Sequence, residues 1–176
     1  ALYTVLAVAG YFPESELMKL RMLDAPFQGH PHHLELPGVE ISSGSLGQGF
    51  SVGVGVALAA RLDGADYRTF VISSDGEQQE GSMWEAAMAA AHHRLDNLVL
   101  IIDQNRLQID GPVAEVMNIE PLADKYAAFG WHVIEVDGHD MGELVSALDW
   151  ARNANDTGKP CVLICRTVKG KGISFM

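Results

Sequence analysis

The sequence predicts an α/β chain with a doubly wound, mainly parallel sheet and helices on both faces. Three observations carry that expectation. A β-rich run at 68–73 stops at Asp75-Gly76, a helical segment follows, and a second apolar run at 98–102 stops just before Asp103-Gln104-Asn105, which together make a βαβ unit. The alternation then continues with a strand at 131–136, a helix at 141–153 and a last strand at 160–166, the order that builds a parallel sheet buried on both sides. A right-handed crossover brings the ends of such strands out at one carboxyl edge, so Asp75 and Asn105 are expected to meet there. With 176 residues, one domain covering 1–176 is the default.

The remaining elements follow in order. Residues 1–6 already show helical periodicity. Pro13, favourable at a first helical turn, introduces a short helix at 14–22, and the stretch 24–40, rich in Pro and Gly, reads as an irregular loop. Five glycines fall in 44–62, at 44, 47, 49, 53 and 55. Glycine in a helix costs about 1 kcal/mol relative to alanine, so close packing against the sheet or a second protomer is expected at Gly53 and Gly55. Ser82 and Glu85 form a capping box for the crossover helix, and His92, His93 and Arg94 stand where the helix dipole favours cations. Trp84 reads as core or interface. A helix at 121–129 is closed by Gly130, and Asp140 with Glu143 makes a second capping box.

Composition excludes several classes of partner. A formal charge of −11 and a pI near 4.9 disfavour nucleic-acid backbones and anionic membranes, and make protein the expected partner of the bulk surface. No apolar run approaches the roughly 20 residues that span a bilayer, and the start lacks a charged signal-peptide region, so a cytoplasmic location is expected. Cys161 and Cys165 share one face of a strand about 13 Å apart, at about 3.3 Å per residue, beyond disulfide reach. They read as buried thiols.

Asp75, Asn105 and a nearby backbone carbonyl offer an incomplete shell of hard oxygens, which suits Mg²⁺ or Ca²⁺ when a phosphorylated ligand completes it. Gly76 lets a backbone N–H approach a phosphate. On these residues alone an ordinary turn remains the alternative, since Asp, Gly and Asn are common turn formers. His30, His32 and His33 raise zinc, although no Cys or carboxylate stands at a familiar spacing. The glycines at 44–49 are spaced G-x-x-G-x-G, a poor fit to a dinucleotide fingerprint. Glu77 and Glu80 precede the crossover helix, where acidic residues are favourable without any further role.

The wider pattern is more specific. S-D-G-E-x-x-E-G-x-x-W-E-A-A from Ser74, H-x-x-L-D-N-L from His92 and D-x-N-x-x-x-I-D-G from Asp103 closely resemble the thiamine-diphosphate motif of transketolases. G-H-P at 29–31, P-G-V-E at 37–40 and G-S-L-G-Q-G at 44–49 precede it, and T-V-K-G-K-G at 167–172 follows, in the family's order. Between G-H-P and P-G-V-E the loop is closer to transketolases encoded as two separate chains. The resemblance implies the thiamine-diphosphate-binding fold, with thiamine diphosphate and Mg²⁺ (or Ca²⁺) as cofactors. The activity it implies is transfer of a two-carbon ketol unit from a ketose phosphate to an aldose phosphate.

It also implies roles for particular residues. The metal would be held by Asp75, Asn105 and the Leu107 carbonyl. Gly76, Glu77 and Lys169 would lie along the diphosphate. Gly44 and Ser45 would hold the aminopyrimidine through backbone groups, with Leu46 packed beneath the cofactor and Ile109 propping its two rings together. His30 would donate to substrate oxygens, and Glu80 would communicate with the activating glutamate of a partner protomer. That glutamate belongs to a C-terminal transketolase chain or domain, so this chain alone is expected to be inactive and to work as a homo- or hetero-oligomer. The family's S-x-G-H-A and W-H-G segments are absent, and the resemblance therefore implies a chain truncated at both ends. Ser74 departs from the family's usual G-D-G, which bears on cofactor affinity and is tolerable where φ is negative. Two alternatives stand beside this reading. One is a related thiamine-diphosphate enzyme, such as a deoxyxylulose-phosphate synthase or a 2-oxoacid dehydrogenase decarboxylating subunit; the other is a cofactor-free scaffold domain on the same fold.

Overall fold

The computed structural model describes residues 1–153 and 158–175. The chain divides into two compact units, Ala1–Leu46 and Gly47–Met176.

In the first unit, α1 (Leu2–Val8) is followed by a 3₁₀ turn, Glu14–Lys19, and then by irregular chain. The 14–22 helix expected from the sequence is therefore shorter and tighter. Pro13 sits just before it in an extended conformation, and Arg21 has φ +60°, which no helix continues through. A small core of Leu6, Phe27, Leu36 and Val39 holds this unit, with Tyr3 and Phe12 packed against it. Both of those rings meet Phe27 edge-on, at centroid distances of 5.5 and 5.0 Å.

The second unit contains α2 (Gln48–Asp63), β1 (Thr69–Ser74), α3 (Gly81–His92), β2 (Leu98–Gln104), β3 (Leu107–Gln108), β4 (Gly111–Pro112), α4 (Val113–Val116), α5 (Leu122–Ala128), β5 (His132–Asp137), α6 (Met141–Asn153) and β6 (Cys161–Arg166). Four strands form one sheet in the order β1-β2-β6-β5, every neighbouring pair parallel. β3 and β4 form a separate two-residue antiparallel ribbon. The doubly wound architecture read from the sequence is the one observed. β2 runs two residues further than its apolar run, because Asp103 and Gln104 still pair with Cys165 and Arg166.

Alternation along the two central strands explains why both faces need helices. Leu98, Leu100, Ile102, Val162 and Ile164 pack into one core with residues of α2, α3 and α5, while Val99, Cys161, Leu163 and Cys165 pack into another with Ala147 and Ala151 of α6. The first core also encloses a polar chain. The Tyr126 hydroxyl donates to Gln78 Oε1 at 2.7 Å, and Gln78 Nε2 donates to Ser73 Oγ at 3.0 Å and the Ser74 carbonyl at 3.1 Å. Burial keeps the Tyr126 phenol neutral far above its ordinary range, with the Glu77 charge adding to the effect.

One local expectation is corrected and two are refined. Ser82 and Glu85 do not cap α3: the helix begins earlier, at Gly81, with Glu80 at its cap position and no side-chain cap bond. His92 stands in the last turn of α3, where the dipole favours a cation, and Arg61 of α2 adds a second basic group just past the helix end, its Nη1 donating to the Arg94 carbonyl at 2.8 Å; Arg94 itself lies beyond the helix with φ +55°. Asp140 does cap α6, accepting from the amides of Gly142 (2.8 Å) and Glu143 (3.0 Å). Glu143 completes the box one turn further back, accepting from the Asp137 amide at 2.8 Å.

The glycines of α2 separate into two kinds. A β-carbon at Gly53 would run into Val71 Cγ2 on the sheet, whereas one at Gly55 would meet nothing within 4 Å. Close packing against the sheet thus explains Gly53 and not Gly55. Gly55→Ala is predicted to stabilise the chain by about 0.5–1 kcal/mol, and Gly53→Ala to destabilise it because Val71 is stiff at χ1; urea titration of both variants checks the pair. Cys161 and Cys165 are free and buried, and burial pushes the Cys161 thiol up to about 12. Neither thiol should react with an alkylating reagent at about pH 8 until the chain unfolds, which mass spectrometry before and after denaturation tests.

Candidate cofactor-binding site

The parallel register sets the site. Ser74 lies opposite Asp103, and Asp103 opposite Cys165, which in turn lies opposite Val136. Asp75, Asn105, Thr167 and Gly138 therefore leave the sheet at one edge. Backbone bonds continue the ladder past the strand ends: Asp75 N donates to the Asp103 carbonyl at 3.2 Å, Thr167 N to the Gln104 carbonyl at 3.2 Å, and Gly138 N to the Arg166 carbonyl at 2.8 Å.

Asp75 closes the gap between the first two loops. Its side chain is almost fully buried, at 1% exposure. Oδ2 accepts from the Arg106 amide at 2.6 Å, and Oδ1 accepts from the Gly76 amide at 2.8 Å. The loop after β2 can present that amide because Arg106 adopts φ +64° and Asn105 makes a local turn, its Oδ1 accepting from Leu107 N at 2.9 Å. Burial pushes the Asp75 carboxyl above its usual range; the amides of Arg106 and Gly76 pull it down, and the Asp103 charge pushes it up again.

Gly76 has a use that the sequence does not disclose. A β-carbon there would lie 2.8 Å from Gln108 Cβ and 3.7 Å from the Leu107 carbonyl oxygen. Its missing side chain is what lets the β3 residues close over the turn, while its N–H already serves Asp75. Ser74, the departure from G-D-G, is not among the residues with positive φ. Its hydroxyl accepts from Glu77 N at 3.2 Å and Glu77 Oε2 accepts from Ser74 N at 3.4 Å, a reciprocal capping box. The other carboxylate oxygen of Glu77 accepts from Gly47 N at 2.7 Å. Gly47 has φ +81°, and Ser82 Oγ occupies the space a β-carbon would need, so the start of α2 is fastened to the turn after β1. The S-x-x-E spacing of Ser74 and Glu77 was the available signal for this box.

The family model described as "Transketolase, thiamine diphosphate binding domain" matches residues 1–175. The chain belongs to the transketolase family. It is 47% identical over 177 residues to an apulose-4-phosphate transketolase subunit of Phocaeicola vulgatus, covering all of this chain and 62% of that one. It is 46% identical to 6-deoxy-6-sulfo-D-fructose transketolase subunit SqwG of Clostridium sp. (strain MSTE9), covering 99% of this chain and 63% of that one. A crystal structure of transketolase from Campylobacter jejuni superposes with a TM-score of 0.88 at 36% identity, over 98% of this chain and 28% of that one. This chain thus spans less than two thirds of the length of each. The match to the transketolase family sets the related thiamine-diphosphate enzyme families aside as its assignment.

The other positions singled out by the transketolase resemblance are distributed as follows. Leu107 and Ile109, in and just after β3, are exposed, Ile109 at 95%. Lys169 is exposed three residues beyond β6, next to Val168, whose amide donates to His139 Nε2 at 2.8 Å. Glu80 is exposed at the start of α3. In the first unit, the exposed His30 ring packs over Gly44, which has φ +147° and whose β-carbon would lie 2.8 Å from His30 Cγ. Ser45 and Leu46 are exposed beside it in sequence. The zinc reading of His30, His32 and His33 is not supported: among the described residues no group of three His, Cys, Asp or Glu side chains is placed to hold a metal ion. His32 and His33 instead stack at 5.7 Å, and His33 Nδ1 pairs with Ser42 Oγ at 2.8 Å. Trp84 packs against Tyr126 and Phe129, with Lys125 over its ring, as a core residue would.

Sequence reasoning gave no role to Asp103 as a side chain, to Thr167, to His139 or to Gln78, although the structure uses all four to shape this edge. Removing the Glu77 carboxylate with Glu77→Ala is predicted to cost about 1–3 kcal/mol, because the amides of Gly47 and Ser74 lose their acceptor. Ser74→Ala should cost about 1 kcal/mol. Urea denaturation of both variants checks this, and a Glu77→Ala variant as stable as the parent would contradict the fastening role.

Proposed function

We propose that this chain binds thiamine diphosphate with Mg²⁺ or Ca²⁺ and forms the cofactor-binding part of an enzyme that moves a two-carbon ketol unit from a ketose phosphate to an aldose phosphate. The observation that supports this best is the buried Asp75 carboxylate drawn onto the backbone of the loop that carries Asn105 and Leu107. The donor set fits a hard divalent ion. Asp75 is buried with two backbone N–H groups as its hydrogen-bond donors, Asn105 adds an amide oxygen, and the Leu107 carbonyl approaches the Gly76 position. A buried carboxylate so placed gains from a cation what solvent no longer supplies.

In this proposal Asp75, Asn105 and the Leu107 carbonyl hold the ion, and Gly76, Glu77 and Lys169 lie along the diphosphate. Glu77 acts by holding the turn in shape, since both its oxygens already serve backbone amides. Gly44, Ser45, Leu46 and Ile109 embrace the ring system, His30 donates to substrate oxygens, and Glu80 communicates with a partner's glutamate. When bound, the coenzyme supplies the electron sink for carbon–carbon bond cleavage; the protein binds, orients and shields it.

The proposed partner is a C-terminal transketolase chain or domain carrying the activating glutamate, in a homo- or hetero-oligomer. Two relatives are named as subunits, and this chain spans about 62–63% of each, which supports a divided enzyme. The single domain read from the sequence remains part of this proposal, supported by one family match across 1–175. Among the described residues no helix is long and apolar enough to cross a membrane. We further propose a cytoplasmic location, and the acidic balance disfavours nucleic-acid and anionic-membrane partners.

Calorimetry with thiamine diphosphate tests the reading. Heat of binding is expected only with Mg²⁺ present, and Asp75→Ala is expected to remove it. A parent chain without metal-dependent heat, which a cofactor-free scaffold would show, contradicts the proposal. Ketol transfer between sugar phosphates is expected after the partner chain is added and not before.

A further inference from the structure

A carboxamide presents an oxygen and a nitrogen of nearly the same shape, and only the oxygen serves a hard cation. Which one faces the ion depends on the hydrogen bonds that hold the group. Here Asn105 Nδ2 donates to Asp103 Oδ2 at 2.8 Å, and Asn105 Oδ1 accepts from Leu107 N at 2.9 Å. Rotating the amide by half a turn would set oxygen against the Asp103 carboxylate and nitrogen against the Leu107 N–H, so two bonds would become two repulsions. The Leu107 bond leaves Oδ1 a second lone pair for a cation.

Asp103 is itself held. Its Oδ1 accepts a hydrogen bond from Thr167 Oγ1, and its carbonyl accepts from Asp75 N at 3.2 Å. It stands near the end of a central strand, paired with Ser74 on one side and Cys165 on the other, so its backbone is fixed between two neighbouring strands and its carboxylate is tied to the end of one of them through Thr167. We propose that Asp103 is a positioning residue for the cation, holding the Asn105 amide with its oxygen available to the ion and its nitrogen turned away. This rests on the site reading given under Proposed function. Asp103 touches neither ion nor substrate in this role; it acts through Asn105.

The first test needs no cofactor. In side-chain amide NMR of the full chain, the Asn105 NH₂ protons should exchange with solvent at least about 10-fold more slowly than in the unfolded chain, reflecting their bond to Asp103. Free exchange in the parent overturns the proposal even if no variant folds. Asp103→Leu should release the signal. Asp103→Asn should keep it, because an amide oxygen can still accept while Thr167 turns to accept from the new NH₂.

The second test titrates Mn²⁺ into each chain with thiamine diphosphate saturating. Asp103→Leu should weaken the metal by about 10- to 100-fold, and Asp103→Asn by less than about threefold. In an Asn105→Ala background Asp103→Leu should bring no further loss, which a merely structural role would not reproduce. Metal binding that survives Asp103→Leu within about threefold, or that falls equally in Asp103→Asn, overturns the role of Asp103 alone. A parent that binds no Mn²⁺ overturns the site reading and this inference with it, although the NMR result still reports the orientation of the amide.

Discussion

The hydrogen bond from the Arg106 amide to the Asp75 carboxylate is the constraint on which the rest of this edge depends. It joins two loops that leave adjacent parallel strands, and it does so with a group that is otherwise expensive to bury. Several local features exist to make it possible. Arg106 takes a left-handed backbone conformation, Asn105 supplies a side-chain turn, and Gly76 gives up a side chain so that Gln108 can approach. Each is mildly unfavourable alone or neutral at best, and together they place hard oxygens where the strands end.

The sheet makes such precision available. Its two central strands are buried on both faces, and the pairing of Asp103 with Ser74 and Cys165 fixes three loop origins to one another within the spacing of hydrogen-bonded strands. Helices contribute by fastening rather than by chemistry. Glu77 links the start of α2 to the turn after β1, and the buried chain through Tyr126, Gln78 and Ser73 joins α5 to the same turn from below. Side chains on this edge therefore inherit the rigidity of the cores on either face.

What could be read from the sequence was what periodicity and punctuation encode. Strands beginning near 69, 98, 132 and 161 are visible because β-branched and apolar runs stop at Asp-Gly, Asp-Gln-Asn or Arg-Thr, and the convergence of Asp75 with the 105 loop follows from parallel strands alone. Local caps were less legible, because S-x-x-E occurs twice within a dozen residues. The Ser74 pair caps the turn after β1, whereas the Ser82 pair makes no cap bond at α3, where Ser82 Oγ lies against Gly47. Asp103 was invisible for a different reason. Its partners, Asn105 and Thr167, are 2 and 64 residues away, and no local pattern announces the second. Gly53 and Gly55 look alike in sequence and differ only in whether Val71 stands opposite.

The most direct measurement is a crystal structure of the chain grown with Mn²⁺ and thiamine diphosphate, with the ion located by its anomalous scattering. One Mn²⁺ bonded to an Asp75 carboxylate oxygen and to the amide oxygen of Asn105, with coenzyme phosphate completing its shell, is the predicted result. An ion seated elsewhere, or coenzyme bound with Asp75 and Asn105 making no contact to metal, would contradict the central claim that this edge of the sheet exists to hold a cation.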